Sequence, residues 1–290
     1  MEKKIKIGNR LVGDGEPCFI VAEIGINHNG SLEIVRKLID MAKNAGCDAV
    51  KFQKRTPDIC VPEDQKYKMR ETPWGEMTYI DYRNRMEFSL DQYNEINCYC
   101  CRDRGIMWFV SCWDLPSVDF MENNFNFPCY KVASACLTDK DLLYRIDITR
   151  KPILLSTGMS TLEEIDQAVF TVNTDKLILL HCNSSYPAKI EELNLRMIPE
   201  LRNMYEVPVG YSGHETGVFT TLCAVAMGAC VVERHITLDR SMWGTDQSVS
   251  LERTGLNKLV EEIRDFERAR GDGIKIIYQA EMAMREKLRR

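Results

Sequence analysis

Residues 18–53 read CFIVAEIGINHNGSLEIVRKLIDMAKNAGCDAVKFQ. The segment Cys18–Ile24 is apolar except for one acidic residue, which is typical of a strand that is buried on both faces. Ser31 stands where a helix N-cap is expected, apolar residues follow at helical spacing, and Gly46 ends the predicted helix. Ala49–Gln53 then predicts a second strand. The segment therefore predicts a βαβ unit, in which a helix joins two parallel strands.

The same alternation continues along the chain. Further strands are predicted at Met107–Ser111, Cys129–Ala133, Pro152–Ser156, Leu177–His181, Val207–Tyr211 and Cys230–His235. Helices are predicted at Leu90–Arg104, Ser117–Asn124, Leu142–Thr149, from a Ser160–Glu163 capping box to Val172, and at Glu192–Tyr205, Val218–Met227 and Leu256–Phe266. Eight strands alternating with eight helices predict a (β/α)8 TIM barrel in the α/β class. An open doubly wound sheet is the alternative, but no Gly-x-Gly-x-x-Gly follows the first strand.

Three segments lie outside this alternation. Lys4–Pro17 predicts an N-terminal β-hairpin that closes one end of the barrel. Arg55–Phe88 is polar but rich in aromatic residues, and it predicts a long loop across the barrel mouth that acts as a lid or an interface. Gly273–Arg290 predicts a basic helical tail. No linker divides the chain, so residues 1–290 are expected to form a single domain.

The composition argues against several classes of protein. The chain carries a formal net charge of -5 and no dominant basic cluster, which argues against a nucleic-acid binder. No apolar run approaches membrane-spanning length and no signal peptide is apparent, so we expect a cytoplasmic protein without membrane association. Cys98, Cys100 and Cys101 have no second pair at zinc-ribbon spacing, and the other cysteines fall mostly in apolar runs, so reduced thiols are expected.

Polar residues follow almost every predicted strand. In a (β/α)8 barrel the C-terminal strand ends converge, and the reacting groups come from there. The residues at these ends are Glu23, Lys51, Gln53, Ser111, Lys131, Ser134, Ser156, Thr157, Gly158, His181, Asn183, Ser184, Ser185, Tyr186, Ser212, His214, Glu233 and His235. One polar strand end would mean little, but eight converging ends predict a polar pocket.

Lys51 and Lys131 each lie within an apolar run, so their ammonium groups are expected to point into this pocket. Together with the hydroxyls and glycine-flanked amides they suit a ligand that carries both a phosphate and a carboxylate. The alternative is that each lysine only neutralises a nearby acid such as Glu23.

His214 and His235 are two of only four histidines, and they end neighbouring predicted strands. Such a pair favours a divalent metal over two separate core histidines, with Mn, Mg, Fe, Co and Zn all left open. Glu233 and Asp246 are candidates for orienting the imidazoles or for proton transfer. His28 is expected at the rim of the pocket, near the substrate.

Five strings at these strand ends resemble the N-acetylneuraminate (sialic acid) synthases. They are Ala22–Gly30 (AEIGINHNG), Val50–Gln53 (VKFQ), Ser156–Met159 (STGM), Tyr211–His214 (YSGH) and Glu233–Asp239 (ERHITLD). The resemblance covers almost the whole chain, with the strings in order. It implies a (β/α)8 barrel that condenses phosphoenolpyruvate with the open-chain aldehyde of N-acetylmannosamine or a related aldose. The implied products are phosphate and a 2-keto-3-deoxy sugar acid for surface carbohydrates.

The resemblance also implies roles for individual residues. His214 and His235 would bind a divalent metal, Mn2+ or Mg2+, that polarises the sugar aldehyde. The residues implied to hold phosphoenolpyruvate are Lys51, Lys131, Ser134, Ser156, Asn183, Tyr186 and Ser212. Those implied to face the sugar are Glu23, Gln53, Tyr186 and Asp246. The expected catalytic groups are Glu23, Lys51, Lys131, His214, His235 and Asp246.

The chain departs from the family pattern at three points. Cys136 stands where many members carry a glutamate, which removes an acid that would handle a proton or bind sugar. Ser184 stands where an asparagine is often found. No C-terminal antifreeze-like domain, which in relatives supplies an arginine to the N-acyl group of the sugar, is expected after Arg290. We therefore expect an acceptor sugar other than N-acetylmannosamine.

Two other functions stay open from the sequence. A metal aldolase would use pyruvate, although the second lysine and the hydroxyls favour a phosphorylated substrate. A catalytically retired barrel would bind a sugar without converting it, although the intact lysines and histidines argue against this. A homodimer that forms through barrel surfaces is expected.

Overall fold

The computed structural model describes residues 3–289, in which twelve strands form a closed barrel of eight parallel strands and two antiparallel hairpins. The strands are β1 (Lys4–Ile7), β2 (Arg10–Gly13), β3 (Phe19–Gly25), β4 (Ala49–Lys54), β5 (Met69–Thr72), β6 (Gly75–Thr78), β7 (Met107–Cys112), β8 (Tyr130–Val132), β9 (Ile153–Ser156), β10 (Leu177–Cys182), β11 (Val209–Gly213) and β12 (Val231–His235). The barrel runs β3-β4-β7-β8-β9-β10-β11-β12, and β12 pairs with β3. The predicted (β/α)8 barrel is confirmed.

The described chain contains twelve α-helices, most of which cover the outside of the barrel between successive strands. They are α1 (Leu32–Ala45), α2 (Pro57–Cys60), α3 (Glu63–Lys66), α4 (Tyr79–Met86), α5 (Leu90–Cys98), α6 (Leu115–Asn124), α7 (Lys140–Asp147), α8 (Leu162–Thr171), α9 (Met197–Tyr205), α10 (Phe219–Ala226), α11 (Arg253–Ala269) and α12 (Gln279–Leu288). Ser31 caps α1 by accepting the Ile34 N–H, and Gly46 ends it in a left-handed conformation with φ 90°. Both signals were read correctly from the sequence.

The largest shift at a predicted helix start is at α9, and the predicted capping box of α8 is displaced by one residue. The helix expected at Glu192–Tyr205 begins only at Met197, because residues 190–192 form a separate 3-10 turn. The capping box lies one residue later than expected: Thr161 and Glu164 exchange their side-chain and backbone bonds. The Ser160 hydroxyl instead donates to a backbone carbonyl in the preceding turn.

The N-terminal hairpin closes the end of the barrel at which the strands begin. Its strands β1 and β2 pair antiparallel, and Ile5, Ile7 and Val12 turn their side chains into the core. Gly8 in the turn has φ +58°, and a Cβ there would lie 2.7 Å from the sulfur of Met107, the first residue of β7. Glycine therefore permits the close approach of the hairpin to the barrel.

The insertion between β4 and α5 folds over the opposite end, where the strands finish. It contains α2, α3, the β5–β6 hairpin and α4. The ring of Tyr82 on α4 lies 4.9 Å from the ring of Trp243 in the loop after β12. Asn29, in the loop after β3, donates to the carbonyl of Trp243 at 3.1 Å. The insertion thus packs on two loops of the mouth, as expected for a covering segment.

The chain beyond α11 is exposed. Residues 270–289, which include α12, have exposed side chains throughout. No helix within residues 3–289 has the length and apolar character needed to cross a membrane.

Candidate functional site

A cavity of about 260 Å³ lies at the C-terminal ends of the barrel strands. All eight strands or the loops that follow them contribute to its wall. The predicted site residues that line it are Glu23, Lys51, Gln53, Lys131, Ser134, Ser156, Tyr186, Ser212, His214 and His235. A larger open groove of about 750 Å³ lies at the other end of the barrel, beside the N-terminal hairpin, and holds none of these residues.

Strand register explains why these side chains meet. Glu23 on β3 is aligned with Lys51 on β4 and with His235 on β12. Glu233 on β12 is aligned with Ser212 on β11. Because alternate residues of a strand point to the same face, Glu233 and His235 both point into the barrel. Residues far apart in the sequence thereby line one cavity.

The floor of the cavity is a cluster of buried charges. Lys51 Nζ lies 2.9 Å from Glu23 Oε2, 2.7 Å from Ser111 Oγ and 3.8 Å from Glu233 Oε2. Lys131 Nζ lies 3.8 Å from the other carboxylate oxygen of Glu233. Burial, reinforced by the neighbouring Lys51, lowers the pKa of Lys131. Two ammonium groups therefore share two carboxylates.

The sequence predicts Glu233 only as a group that orients the imidazoles or transfers a proton, but the structure also places its carboxylate near both lysines. Burial acts to raise its pKa, but Lys131 and Lys51 outweigh burial and hold the pKa below the usual range, so the carboxylate is ionised. One oxygen accepts from Ser212 at 3.1 Å, whereas Oε2 has no hydrogen-bond donor among the described residues. Its position two residues before His235 was the available signal, because it gives both side chains the same direction.

Serine hydroxyls form one wall, and the Gly158 amide supports it. The Gly158 N–H donates to Ser134 Oγ at 3.0 Å. A Cβ on Gly158 would lie only 2.2 Å from Ser184 Oγ and 2.8 Å from Ser134 Oγ, so glycine is required for this approach. Ser156 Oγ is buried and has no hydrogen-bond partner within residues 3–289. Such donors suit an anion with several oxygens.

The two imidazoles face each other across the cavity, with ring centroids 5.5 Å apart. His214 Nδ1 donates to the carbonyl of Asn183 at 2.6 Å, which leaves Nε2 to accept from the Tyr186 hydroxyl at 2.8 Å. Burial raises the pKa of Tyr186, so this hydroxyl keeps its proton. His235 Nδ1 is buried without a hydrogen-bond partner in the described chain, and Asp246 Oδ2 lies 3.8 Å away.

This arrangement fits a divalent metal. A backbone carbonyl that fixes the tautomer of His214 is a common support for metal-ligating histidines. No third His, Cys, Asp or Glu joins the pair at metal-binding distance within residues 3–289, so oxygen ligands would fill the other positions. Two imidazoles with open positions suit a metal that binds substrate directly.

A buried ion pair forms between the sequence neighbours of the two histidines. Arg234, next to His235, lies 3.2 Å from the carboxylate of Glu215, next to His214, and donates to the Glu215 carbonyl at 2.6 Å. Thr221 also donates to this carboxylate at 2.8 Å. Burial acts to raise the pKa of Glu215, but Arg234 and the hydrogen bonds from the backbone, Thr220 and Thr221 together outweigh it, and the pKa is lowered. The pair therefore joins the ends of β11 and β12.

Asn183, Asp246 and Cys136 do not line the cavity. The side chain of Asn183 turns away and donates to the carbonyl of Glu192 at 3.2 Å, so only its backbone supports the site. Asp246 lies beside His235, outside the cavity wall. Cys136 is buried outside the wall, and burial raises the pKa of its thiol to about 11. The cysteine side chain itself therefore contributes no surface to the cavity.

The expectation that His28 lies at the rim is wrong. His28 is 2% exposed, and its ring lies 4.4 Å from the ring of Phe88. Its Nδ1 accepts the Gly30 N–H at 3.0 Å. Burial lowers the pKa of His28 to about 3. The loop after β3 places this ring beneath the covering insertion, and no local sequence pattern predicts that contact.

Comparison with known proteins places the barrel in a family. The model of the NeuB family matches residues 38–275. The chain belongs to the NeuB family. It is 39% identical to the human N-acetylneuraminate-9-phosphate synthase over 286 residues, which are 96% of this chain and 78% of that protein. It is 36% identical to the N,N'-diacetyllegionaminic acid synthase of Campylobacter jejuni over 264 residues, 88% of this chain and 78% of that protein.

A solved structure agrees with these matches. The N-acetylneuraminic acid synthetase of Leptospira borgpetersenii has a TM-score of 0.86 and 31% identity, covering 100% of this chain and 99% of that chain. The resemblance to the sialic acid synthases is confirmed, and this NeuB-family chain is a synthase-like enzyme of carbohydrate biosynthesis. The cavity at the strand ends is its candidate active site.

Proposed function

We propose that this NeuB-family enzyme condenses phosphoenolpyruvate with an aldose, with the help of Mn2+ or Mg2+, to give a 2-keto-3-deoxy sugar acid and phosphate. One observation carries the proposal: two buried lysines and two imidazoles face a single cavity. The product names of the human and Campylobacter relatives support a sugar acid of this type.

The lysines and hydroxyls would hold phosphoenolpyruvate. Lys51 and Lys131 now interact with carboxylates at 2.9 to 3.8 Å, and the phosphate and carboxylate of the substrate would become their partners. Ser134, Ser156 and Ser212 bring hydroxyls to the same wall. Ser156 Oγ is unpartnered within residues 3–289, so it can donate without losing an existing bond.

His214 and His235 would hold the metal, which when bound supplies a Lewis acid that polarises the aldehyde. Beside them, Gln53 Nε2 donates to Glu23 Oε1 at 3.1 Å, and the two side chains form an edge that can bind sugar hydroxyls. Tyr186 stacks 4.1 Å from the His214 ring and covers it from the solvent side. These residues would orient the aldehyde towards the enol carbon.

The proposed reaction balances as follows. Carbon 3 of phosphoenolpyruvate attacks the aldehyde carbon and a C–C bond forms, while the aldehyde oxygen takes up a proton. Water then adds to carbon 2, and its proton passes to the ionised Glu233, whose Oε2 has no hydrogen-bond donor in the described chain. The bond between carbon 2 and the bridging oxygen breaks, and phosphate leaves with that oxygen and with the proton of the new hydroxyl at carbon 2, which becomes the 2-keto group. Glu233 then releases its proton to solvent, which balances the proton taken up by the aldehyde oxygen.

Phosphate release from phosphoenolpyruvate, measured with a panel of aldoses and Mn2+, tests the proposal. We expect release only when an aldose and the metal are both present. Product from pyruvate in place of phosphoenolpyruvate would favour the aldolase, and no product with any aldose would favour a retired barrel. Faster turnover of N-acetylmannosamine than of every other aldose would contradict the expectation of a different acceptor.

A further inference from the structure

Arg55 contacts two residues that line the cavity. Its Nη2 donates to Gln53 Oε1 at 2.6 Å. Its guanidinium carbon lies 3.6 Å from the ring centroid of Trp113, which follows β7. Gln53 and Trp113 both line the cavity, and Gln53 in turn donates to Glu23 at its base. Arg55 is therefore held in a fixed place by residues of the candidate active site.

This stacked pair has hydrogen-bond donors that nothing satisfies. Arg55 Nε and Trp113 Nε1 are both buried and have no acceptor within residues 3–289. No carboxylate oxygen of the described chain lies within 4.0 Å of the Arg55 guanidinium. Glu87, which accepts the Arg55 backbone N–H at 3.2 Å, is bonded by Lys54 at 2.9 Å. A half-buried cation with free donors is costly unless an acceptor binds there.

The cavity is too small to enclose a whole acceptor sugar, so the end of the sugar remote from the aldehyde must lie outside it. Cavities that enclose drug-sized ligands measure roughly 300–1,000 Å³, and this one measures about 260 Å³. It can surround the reacting ends of two substrates, but the remainder of the sugar must extend through the mouth. Gln53 and Trp113 line the cavity and both contact Arg55, so a sugar that extends from the cavity on their side would meet its guanidinium.

We propose that Arg55 determines the acceptor by binding an oxyanion on the sugar, a phosphate ester or a carboxylate carried at the end remote from the aldehyde. This inference rests on the proposed function. All the free groups are donors and one side chain is a cation, so the complementary ligand is an anion with several oxygens. A guanidinium stacked on an indole presents a fixed fork to such a group, which a lysine ammonium does not.

Steady-state kinetics with three acceptors tests the role of Arg55. The acceptors are N-acetylmannosamine, its 6-phosphate ester and the corresponding sugar with a terminal carboxylate. We expect the wild type to prefer one anionic acceptor, and the better of the two identifies the oxyanion. Arg55→Gln should raise KM for that acceptor by about tenfold or more, because charge-assisted bonds are lost. KM for phosphoenolpyruvate and for the neutral sugar should stay within about twofold, and Arg55→Lys should recover part of the loss.

Arg70→Gln is the matched control, because Arg70 also stacks on an aromatic ring, 4.0 Å from that of Tyr79, but on the β5–β6 hairpin. It should leave all KM values unchanged. A wild-type preference for the neutral sugar, or an equal rise of all three acceptor KM values in Arg55→Gln, would overturn the inference.

Calorimetric binding of the same three sugars separates this inference from the proposed function. If phosphoenolpyruvate is not consumed with any acceptor, the proposed function fails. Binding of an anionic sugar that Arg55→Gln weakens about tenfold or more would still support the role of Arg55. Equal binding by wild type and variant would contradict it.

Discussion

At the scale of single residues, the cavity depends on the lack of a side chain at Gly158 as much as on the polar groups that line it. Gly158 lets Ser134 and Ser184 approach the backbone, because any Cβ would occupy their space. The same wall holds the unpartnered hydroxyl of Ser156. A methyl group at position 158 would therefore displace the donors that we assign to phosphoenolpyruvate.

We predict that Gly158→Ala weakens phosphoenolpyruvate binding by about tenfold or more, the loss expected for one or two charge-assisted bonds. Isothermal titration without an aldose measures the effect. Gly255→Ala on α11 is the control, because its Cβ would meet Leu251 at an ordinary 3.4 Å. An unchanged dissociation constant in Gly158→Ala would show that this wall does not hold the substrate.

His28 should make stability depend on pH. Burial lowers its pKa to about 3, whereas an unfolded histidine titrates near about 6.5. Because the folded value lies below the unfolded one, the unfolded chain takes up the proton first. The contribution of His28 to the free energy of unfolding is therefore complete above about pH 6.5. It is lost as the pH falls towards 3, and the free energy of unfolding decreases by about 2 kcal/mol between pH 7 and pH 5.

Urea unfolding of wild type and His28→Gln at pH 7 and pH 5 measures this contribution. The variant should lose about 2 kcal/mol less than the wild type between the two pH values. Equal losses would mean that the ring is accessible to protons in the folded state.

At the scale of elements, β11 and β12 are coupled by the ion pair of Arg234 and Glu215. Both side chains are almost completely buried, at 1% and 0% exposure. Each is the neighbour of a histidine at the candidate metal site. The pair therefore fixes the relative position of the two imidazoles through the strands that carry them.

We predict that Arg234→Met lowers the free energy of unfolding by about 3–5 kcal/mol, because it leaves the Glu215 carboxylate buried without its cation. The control is Arg145→Met, which breaks the more exposed pair with Asp119 and should cost about 1 kcal/mol or less. Chemical denaturation compares them. If the two variants are equally stable, the buried pair does not hold the strands together.

At the scale of the whole molecule, the barrel fold could be predicted from the sequence because each strand is an almost continuous apolar run. The helices are marked by capping residues and by apolar residues at helical spacing. Lys51 and Lys131 were expected to face the pocket because they interrupt such runs. The cavity wall confirms that both do. These predictions needed only periodicity and the known direction of strand ends.

Other features depend on contacts between distant segments and left no local pattern. His28 is buried by Phe88, which lies 60 residues further along the chain. The side chain of Asn183 is turned away by the carbonyl of Glu192. Arg55 is one of four arginines in the polar insertion and has no sequence signal of its own, and its contacts with Trp113 and Gln53 distinguish it.

The central claim is that phosphate leaves by cleavage of the C–O bond of phosphoenolpyruvate after a new C–C bond to the aldose has formed. Phosphoenolpyruvate labelled with oxygen-18 in the bridge between carbon and phosphorus tests this most directly, with the released phosphate followed by phosphorus NMR. We predict that phosphate appears only when an aldose and Mn2+ are present, and that it retains the label. Phosphate that lacks the label, or that is released without an aldose, would contradict the account.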